Sequence, residues 1–329
     1  MKASEGIFDD SVVYVTTQGC HVGINGGRIT IFKKEEGQLA SFPIGQVDTI
    51  NVFGNINFTT PFVANANKHG IVLNYFSQFG KYRGSFVPER NTIAEVRRQQ
   101  YALSSEQKIY IAQRIIRGKI RNSRTLLNRK GIKKVGILKD LENNTNKVFT
   151  LDELRGIEGE AAGIYFGLLN ECLIDGWTFH KRSRHPPEDH INSLLSLTYT
   201  MMKNEVLSAL RQYNLDPFLG ILHADRHGRP ALALDLQEEF RPIFCDAFTI
   251  RLVNKSILDH NDFQMDNRLK DYAFKKYLSK YDDYMKEEFI HPRFKYKVSR
   301  RKAARMQAIL LRKVITGELK DYYPLEFKR

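Results

Sequence analysis

The chain has 329 residues, 42% of them apolar, and a formal net charge of +14. The length allows two domains or one large one; no apolar run nears the roughly 18 residues of a membrane span, and MKASEGIFDD lacks the apolar segment of a signal peptide. Three scattered cysteines, Cys20, Cys172 and Cys245, exclude a zinc-knuckle spacing and suit a reducing compartment, so the sequence predicts a cytoplasmic protein with no membrane partner.

The first 87 residues predict β structure. VVYVTT, HVGIN, RITIFKK, TINVF and IVLNYF are short runs rich in β-branched and aromatic residues. Asn25-Gly26-Gly27 is a hairpin signal between HVGI and RITIF. One helix interrupts the strands: Thr60 can cap it, Pro61 suits its first turn, and Gly70 follows its end. Phe86–Asn91 (FVPERN) reads as a linker, which sets the expected domains at 1–87 and 88–329.

Beyond the linker the texture is helical. Ile111, Ile115, Ile116 and Ile120 recur at helical spacing, and Arg114, Arg117, Arg121 and Arg124 form a basic stripe on another face. A DNA backbone can lie along that stripe; a plain solvated face is the other reading. Residues 131–149 read as a polar loop with a helical turn. Thr150 and Glu153 have capping-box spacing and open a helix that runs to about Ile174. His185-Pro186-Pro187-Glu188-Asp189 introduces another long helix, and the helical pattern returns over 240–285. The tail is basic with little apolar periodicity.

Charge is concentrated. Residues 97–134 carry twelve Lys and Arg against Glu106 alone, a local +11. Residues 291–329 carry twelve against Glu318, Asp321 and Glu326, a local +9, so the rest of the chain sums to −6. Two such blocks suggest a footprint for a polyanion, most often nucleic acid.

Three places can carry chemistry. In RGIEGEAAGIYF, Glu158 lies among small residues that permit close approach, with Tyr165 on the same helix face; an exposed Glu near a packed helix start is the plainer reading. In LGILHADRHGRP, His223 ends an apolar run, where a hydrogen-bonded structural histidine is the plainer reading. His223 and His227 are four apart, but the HExxH glutamate is missing and Gly228 and Pro230 oppose a helix. In LALDLQEEFRP, Asp235 and Glu238 share a face if helical, though Asp235 can equally be an N-cap and Glu238 can pair with Arg241. Glu239 reads as solvated. Mixed carboxylate and imidazole ligands suit Mn²⁺, with Mg²⁺ a substitute where water completes the shell.

Four markers in order, GIEGEAAGIYF, RHPPEDHINSLLSLTYTMM, LGILH and DLQEEFRP, together with the AQRIIRGKIRNSRTLLNR helix, resemble the CRISPR-associated adaptation integrases. These are metal-dependent nucleases that insert new spacers, and the resemblance runs from about Val13 to about Ser256. It implies an α+β fold, a small N-terminal β-sandwich-like domain followed by a larger all-α catalytic domain. It implies that Glu158, His223 and Glu238 are the catalytic metal ligands, for Mg²⁺ or Mn²⁺. Asp235 matches an acid that supports the site, and Arg241 a basic position near the phosphate. Asn192 lies in the Pro-Pro element as a structural or supporting residue. The implied partners are double-stranded spacer-precursor and repeat DNA, a second copy of the chain in a homodimer, and a small ferredoxin-like adaptation subunit. The implied reaction is attack of a DNA 3′-OH on a phosphodiester of repeat DNA. A hydrolytic nuclease for branched or single-stranded DNA, and a non-catalytic DNA-binding scaffold, are the alternatives.

Overall fold

The computed structural model describes residues 12–88, 93–183 and 186–327. The N-terminal stretch, Glu89–Asn91 of the expected linker, His185 and the last two residues of the basic tail lie outside the described residues. The chain divides into two compact units. One holds the residues before Ile93 with Phe274–Asp282, and the other holds Ile93–Ala273 with Asp283 onward.

The first unit carries strands β1 (Val12–Val15), β2 (His21–Asn25), β3 (Arg28–Lys33), β4 (Gly37–Pro43), β5 (Thr49–Phe53), β6 (Asn57–Phe58), β7 (Val72–Phe76) and β8 (Tyr82–Phe86), with helix α1 (Thr60–His69). They form two four-stranded sheets, β1-β5-β7-β8 and β4-β3-β2-β6. β2 and β3 pair antiparallel around the Asn25-Gly26-Gly27 turn, with Asn25 opposite Arg28. β5 and β7 run parallel, which requires a crossover, and α1 lies in it. One buried cluster joins Val22, Ile29 and Ile31 of one sheet, Ile50, Val52 and Leu73 of the other, and Phe62 and Ala66 of α1. α1 is capped one residue earlier than the sequence predicts. Thr59 accepts the Phe62 amide, Thr60 is already helical, and Gly70 closes the helix at φ 77°.

The second unit is built from α2 (Ala94–Tyr101), α3 (Ser105–Arg129), α4 (Gly136–Asn144), α5 (Leu151–Leu169), α6 (His190–Gln212), α7 (Ala231–Gln237), α8 (Ala247–Asn254), the ends of α9 (Asp271–Lys286), and α10 (Arg300–Ile315). It also contains a two-stranded ribbon, β9 (Glu288–Ile290) with β10 (Lys297–Ser299). Among the described residues no helix is long and apolar enough to cross a membrane. The overall architecture is α+β, a β-rich start followed by a helical region.

Two sequence expectations are corrected. The supposed loop at 131–149 contains α4, which buries Leu138 and Leu141 against α3 and α5. The tail contains α10, packed on α6. Its periodicity was hidden because Arg301 and Arg305 lie on the buried side, where Arg301 pairs with Glu205 at 3.0 Å. After α10 the chain crosses α3. Asn122 donates to the Leu325 carbonyl at 2.7 Å and accepts the Phe327 amide at 3.0 Å. Gly118 permits the crossing, since a Cβ there would stand 2.6 Å from Cβ of Pro324.

Candidate functional site

Three helices of the second unit meet at one buried cation. The Lys119 ammonium, from α3, bridges the Glu158 carboxylate of α5 and Oε2 of Glu238, the latter at 2.6 Å. Oε1 of Glu238 meets the Arg241 guanidinium at 2.6 Å. Glu238 sits just past α7, and from Arg241 to Asp246 the backbone winds in a wider π-helical turn that contains Pro242. Such turns replace the regular ladder and occur often at functional sites; this one keeps Arg241 beside Glu238.

The electrostatics follow from burial. Desolvation alone would raise the Glu238 carboxyl, but Arg241 and then Lys119 outweigh it and hold it at about 2. Burial would likewise discharge Lys119, yet Glu238 and Glu158 overcome it and keep the ammonium charged. Glu238 is 3% exposed, whereas the Glu158 side chain is 29% exposed. The cluster therefore has a buried end at Glu238 and an open end at Glu158.

His223 is placed by Asp235. The fully buried Asp235 carboxylate accepts the backbone amides of Ile221, Leu222 and His223 at 2.6, 3.0 and 2.9 Å, and contacts Nδ1 of His223 at 2.5 Å. That bond fixes the proton on Nδ1 and leaves Nε2 as the donor atom. The turn before His223 depends on Gly220, where a Cβ would strike the His223 carbonyl and stand 2.7 Å from Cβ of Ala231. Arg155, one turn before Glu158 on α5, donates to the Leu222 carbonyl at 2.6 Å and so ties α5 to the His223 turn. Only when its ring is protonated would His223 add a smaller pull of the same sign on the Glu238 carboxyl.

Among the described residues no three His, Cys, Asp or Glu side chains are close enough, as they stand, to share a metal ion. The structure brings Glu158 and Glu238 onto one cation, with His223 within electrostatic reach of Glu238. Asp235 is not the N-cap the sequence allowed. It lies inside α7, which begins at Ala231.

The other candidates fall at graded distances. The Tyr165 hydroxyl donates to Asp246 at 2.6 Å, as does the Tyr199 hydroxyl, so Tyr165 buttresses the π-helical turn. Burial raises the Asp246 carboxyl to about 6, against the pull of those two phenols. Asn192 is spent on the start of α6. It accepts the Ser183 amide at 2.9 Å and Arg182 at 2.8 Å, and donates to Asp189 at 2.7 Å. Arg182 in turn lies over the Tyr199 ring, as Arg241 does. In the basic stripe, Arg124 pairs with Glu142 at 2.8 Å and Arg121 with Glu326 at 2.8 Å. Arg114 lies over the Tyr110 ring, and Arg114 and Arg117 line a cavity.

Glu239 overturns its expected solvation. It is fully buried, accepts Tyr322 at 2.7 Å, Leu325 N at 2.7 Å and Gln307 at 3.2 Å, and burial raises its carboxyl to about 7. It anchors the C-terminal crossing directly behind Glu238. Sequence reasoning also missed Lys119, although a signal existed. At helical spacing it falls on the apolar face of Ile111, Ile115 and Leu126, a lysine at a core position. Tyr199 and Asp246 carry no comparable signal.

Residues 13–283 match the family described as CRISPR associated protein Cas1. A relative from Methanospirillum hungatei, CRISPR-associated endonuclease Cas1 4, is 52% identical over all of this chain and 94% of its own length. Among solved structures, a casposase bound to integration product has a TM-score of 0.83 at 21% identity, covering 96% of this chain and 94% of that one. A Cas6-RT-Cas1–Cas2 complex gives 0.81 at 22% identity, over all of this chain and 38% of that longer chain. With the family pattern matched over most of its length, the chain belongs to the Cas1 family of CRISPR-associated proteins.

Proposed function

We propose that the protein acts in CRISPR adaptation as a DNA integrase and endonuclease, using Glu158, His223 and Glu238 to hold a divalent cation. The observation that carries this reading is the shared cation. Two carboxylates from separate segments already close on one positive charge, and Asp235 orients the His223 imidazole, within electrostatic reach of Glu238, so that Nε2 is left as a donor. Oxygen and imidazole donors of this kind suit Mn²⁺ or Mg²⁺. Bound there, the ion would polarise a phosphodiester oxygen and lower the pKa of the attacking hydroxyl.

The chain's own residues do the rest. Asp235 holds the His223 ring and tautomer. Lys119 occupies the space between the carboxylates, so a metal ion held there would have to displace its ammonium from the same oxygens, which would leave a positive charge at the site to offset that of the phosphate. Arg241 sets a second positive charge beside Glu238. These cations, fixed before reaction, favour the extra negative charge of the phosphoryl transition state. Arg114 and Arg117 would hold the DNA backbone, with Arg121 and Arg124 contributing where they exchange an internal acid for a phosphate. A second copy of the chain and a small ferredoxin-like subunit would complete the assembly, which would work in the cytoplasm. The likeness to a Cas1–Cas2 complex supports the two-component reading.

The test is strand joining between a 3′-overhang duplex and a repeat-bearing plasmid, with Mn²⁺ or with chelator. Joined strands that vanish with chelator are expected. Shortened strands alone would favour a hydrolytic nuclease, and DNA binding with no chelator-sensitive product would favour a scaffold.

Asp235→Asn provides a separate check. Losing the carboxylate that orients His223 should weaken Mn²⁺ binding by about 10–100-fold in a calorimetric titration. Unchanged affinity would reduce Asp235 to a support for the 221–223 turn.

A further inference from the structure

A cavity of about 300 Å³ opens on the far side of α3 from Lys119. Arg117 and Arg121 precede and follow Lys119 by two residues, about 200° around the helix, so they face away from the carboxylates. Arg114, Arg117, Arg121 and Arg293 line the cavity, against the carboxylates of Asp321 and Glu326. Those acids are already engaged. Glu326 pairs with Arg121, and Asp321 accepts the Tyr110 and Tyr323 hydroxyls. Arg114, Arg117 and Arg293 form no ion pair within 4 Å among the described residues, although the Arg114 charge helps to lower the Asp321 carboxyl. Arg293 instead stacks over the Tyr323 ring, 3.2 Å from its centroid.

His291 adds an independent observation. It lines the same cavity and is 2% exposed. Its Nδ1 accepts the Arg293 and Phe294 amides at 3.2 and 3.3 Å, which places the proton on Nε2. That buried Nε2 has no hydrogen-bond partner among the described residues. Burial, and then Arg293 and Lys295, push the imidazole down to about 4, so it is a neutral donor at physiological pH. An orphaned buried donor costs stability unless a ligand or water satisfies it. Guanidiniums lining one small concavity match the tetrahedral oxygens of phosphate.

We propose that this cavity, with His291 in its wall, is a phosphate-binding site, distinct from the Glu158–His223–Glu238 cluster, that takes one phosphate group of a nucleic-acid strand through Arg114, Arg117 and Arg293. It is too small for a duplex and about right for a single nucleotide with its phosphate. The phosphate comes either from a 5′ end, as a monoester, or from the backbone, as a diester. The inference rests on the DNA reading for the source of the phosphate, not for the chemistry of the cavity. A strand held here lies about one helix diameter, ~10 Å, from the carboxylates. It is therefore held away from its reacting end.

The experiment measures binding of a dye-labelled single-stranded 12-mer carrying a 5′-phosphate or a 5′-hydroxyl, and of inorganic phosphate, all in chelator. It compares the full chain with Arg117→Met, His291→Phe and Arg97→Met, the last an exposed arginine of the same basic block outside the cavity. Taking one charged donor away from the phosphate should weaken binding by about tenfold or more. If the 5′-phosphate tightens binding and only the two cavity variants erase that gain, the monoester is the ligand. If both oligonucleotides bind alike and the cavity variants weaken both well beyond Arg97→Met, the diester is the ligand, and the site stands. Cavity variants that match Arg97→Met with every probe would overturn the site while leaving the DNA reading intact. Cavity-dependent binding of inorganic phosphate with no oligonucleotide binding would overturn the nucleic-acid source of the phosphate. Should His291→Phe fail to fold, Arg117→Met carries the test, because Arg117 has no ion pair to lose among the described residues.

Discussion

His223→Ala is expected to abolish strand joining, by ~10³-fold or more, while metal-free duplex binding stays within about twofold. The size follows from what is removed. Lewis-acid stabilisation of a phosphoryl transition state is worth several kcal/mol, and ~4 kcal/mol corresponds to ~10³ in rate. His223 supplies the nitrogen donor of the proposed set, and alanine leaves no substitute at that turn. The fold should survive, because Asp235 keeps its three backbone amides without the imidazole. Binding should survive because the histidine lies in neither basic block. Joining and gel-shift assays on one preparation read both effects. Joining at the unsubstituted rate would remove His223 from the site, and a parallel loss of duplex binding would make it a DNA contact instead.

Local signals in the sequence were legible where one short segment contains all the partners. Thr150 and Glu153 form the capping box their spacing predicted, with Thr150 Oγ1 and the Glu153 carboxylate each accepting the other's amide. Asn25-Gly26-Gly27 turns β2 into β3 with both glycines at positive φ. The carboxylate roles were less legible, because they depend on groups far along the chain. In LALDLQEEFRP, Glu238 and Glu239 are adjacent and chemically equal. One is held near 2 by Arg241 and Lys119, the other raised to about 7 by burial among Tyr322, Gln307 and Leu325. Nothing within the segment separates them. The C-terminal residues that occupy Glu239 lie more than eighty positions away.

The charge blocks need the same correction. A formal +9 over residues 291–329 suggested an open polyanion surface. In the fold, Arg301 is buried against Glu205, and Arg300 pairs with Glu287 at 3.0 Å. In the first block Arg124 and Lys119 are spent on Glu142, Glu158 and Glu238. Net charge counts formal groups, whereas counterion release on DNA binding counts only those that reach a phosphate. The free positive surface is therefore smaller than composition implies, and part of it, Arg114, Arg117 and Arg293, lines one concavity.

Glu238→Gln is expected to cost stability as well as strand joining, and the contrast with Glu158→Gln makes that informative. Glu238 is the buried anion between Lys119 and Arg241. Removing one partner of a buried ion pair leaves uncompensated charge, typically ~3–5 kcal/mol of destabilisation. Glu158 is more open and meets Lys119 alone, so Glu158→Gln should cost about 1 kcal/mol or less. Joining should fall by ~10³ in both, since each removes a carboxylate ligand. The comparison belongs at neutral pH. A carboxyl depressed from 4.5 to about 2 contributes stability that is present above its unfolded value and lost as pH falls through the folded one. Denaturant unfolding in chelator reads the stability free of any metal contribution. A second substitution, Lys119→Met on the Glu238→Gln background, should recover part of the stability by removing a buried cation left with Glu158 alone, but none of the joining. Equal stability of Glu238→Gln and Glu158→Gln would mean that the Lys119–Glu238–Arg241 cluster does not hold the helices together. Recovery of joining in the double variant would mean that Glu238 serves only to neutralise Lys119, and is no ligand at all.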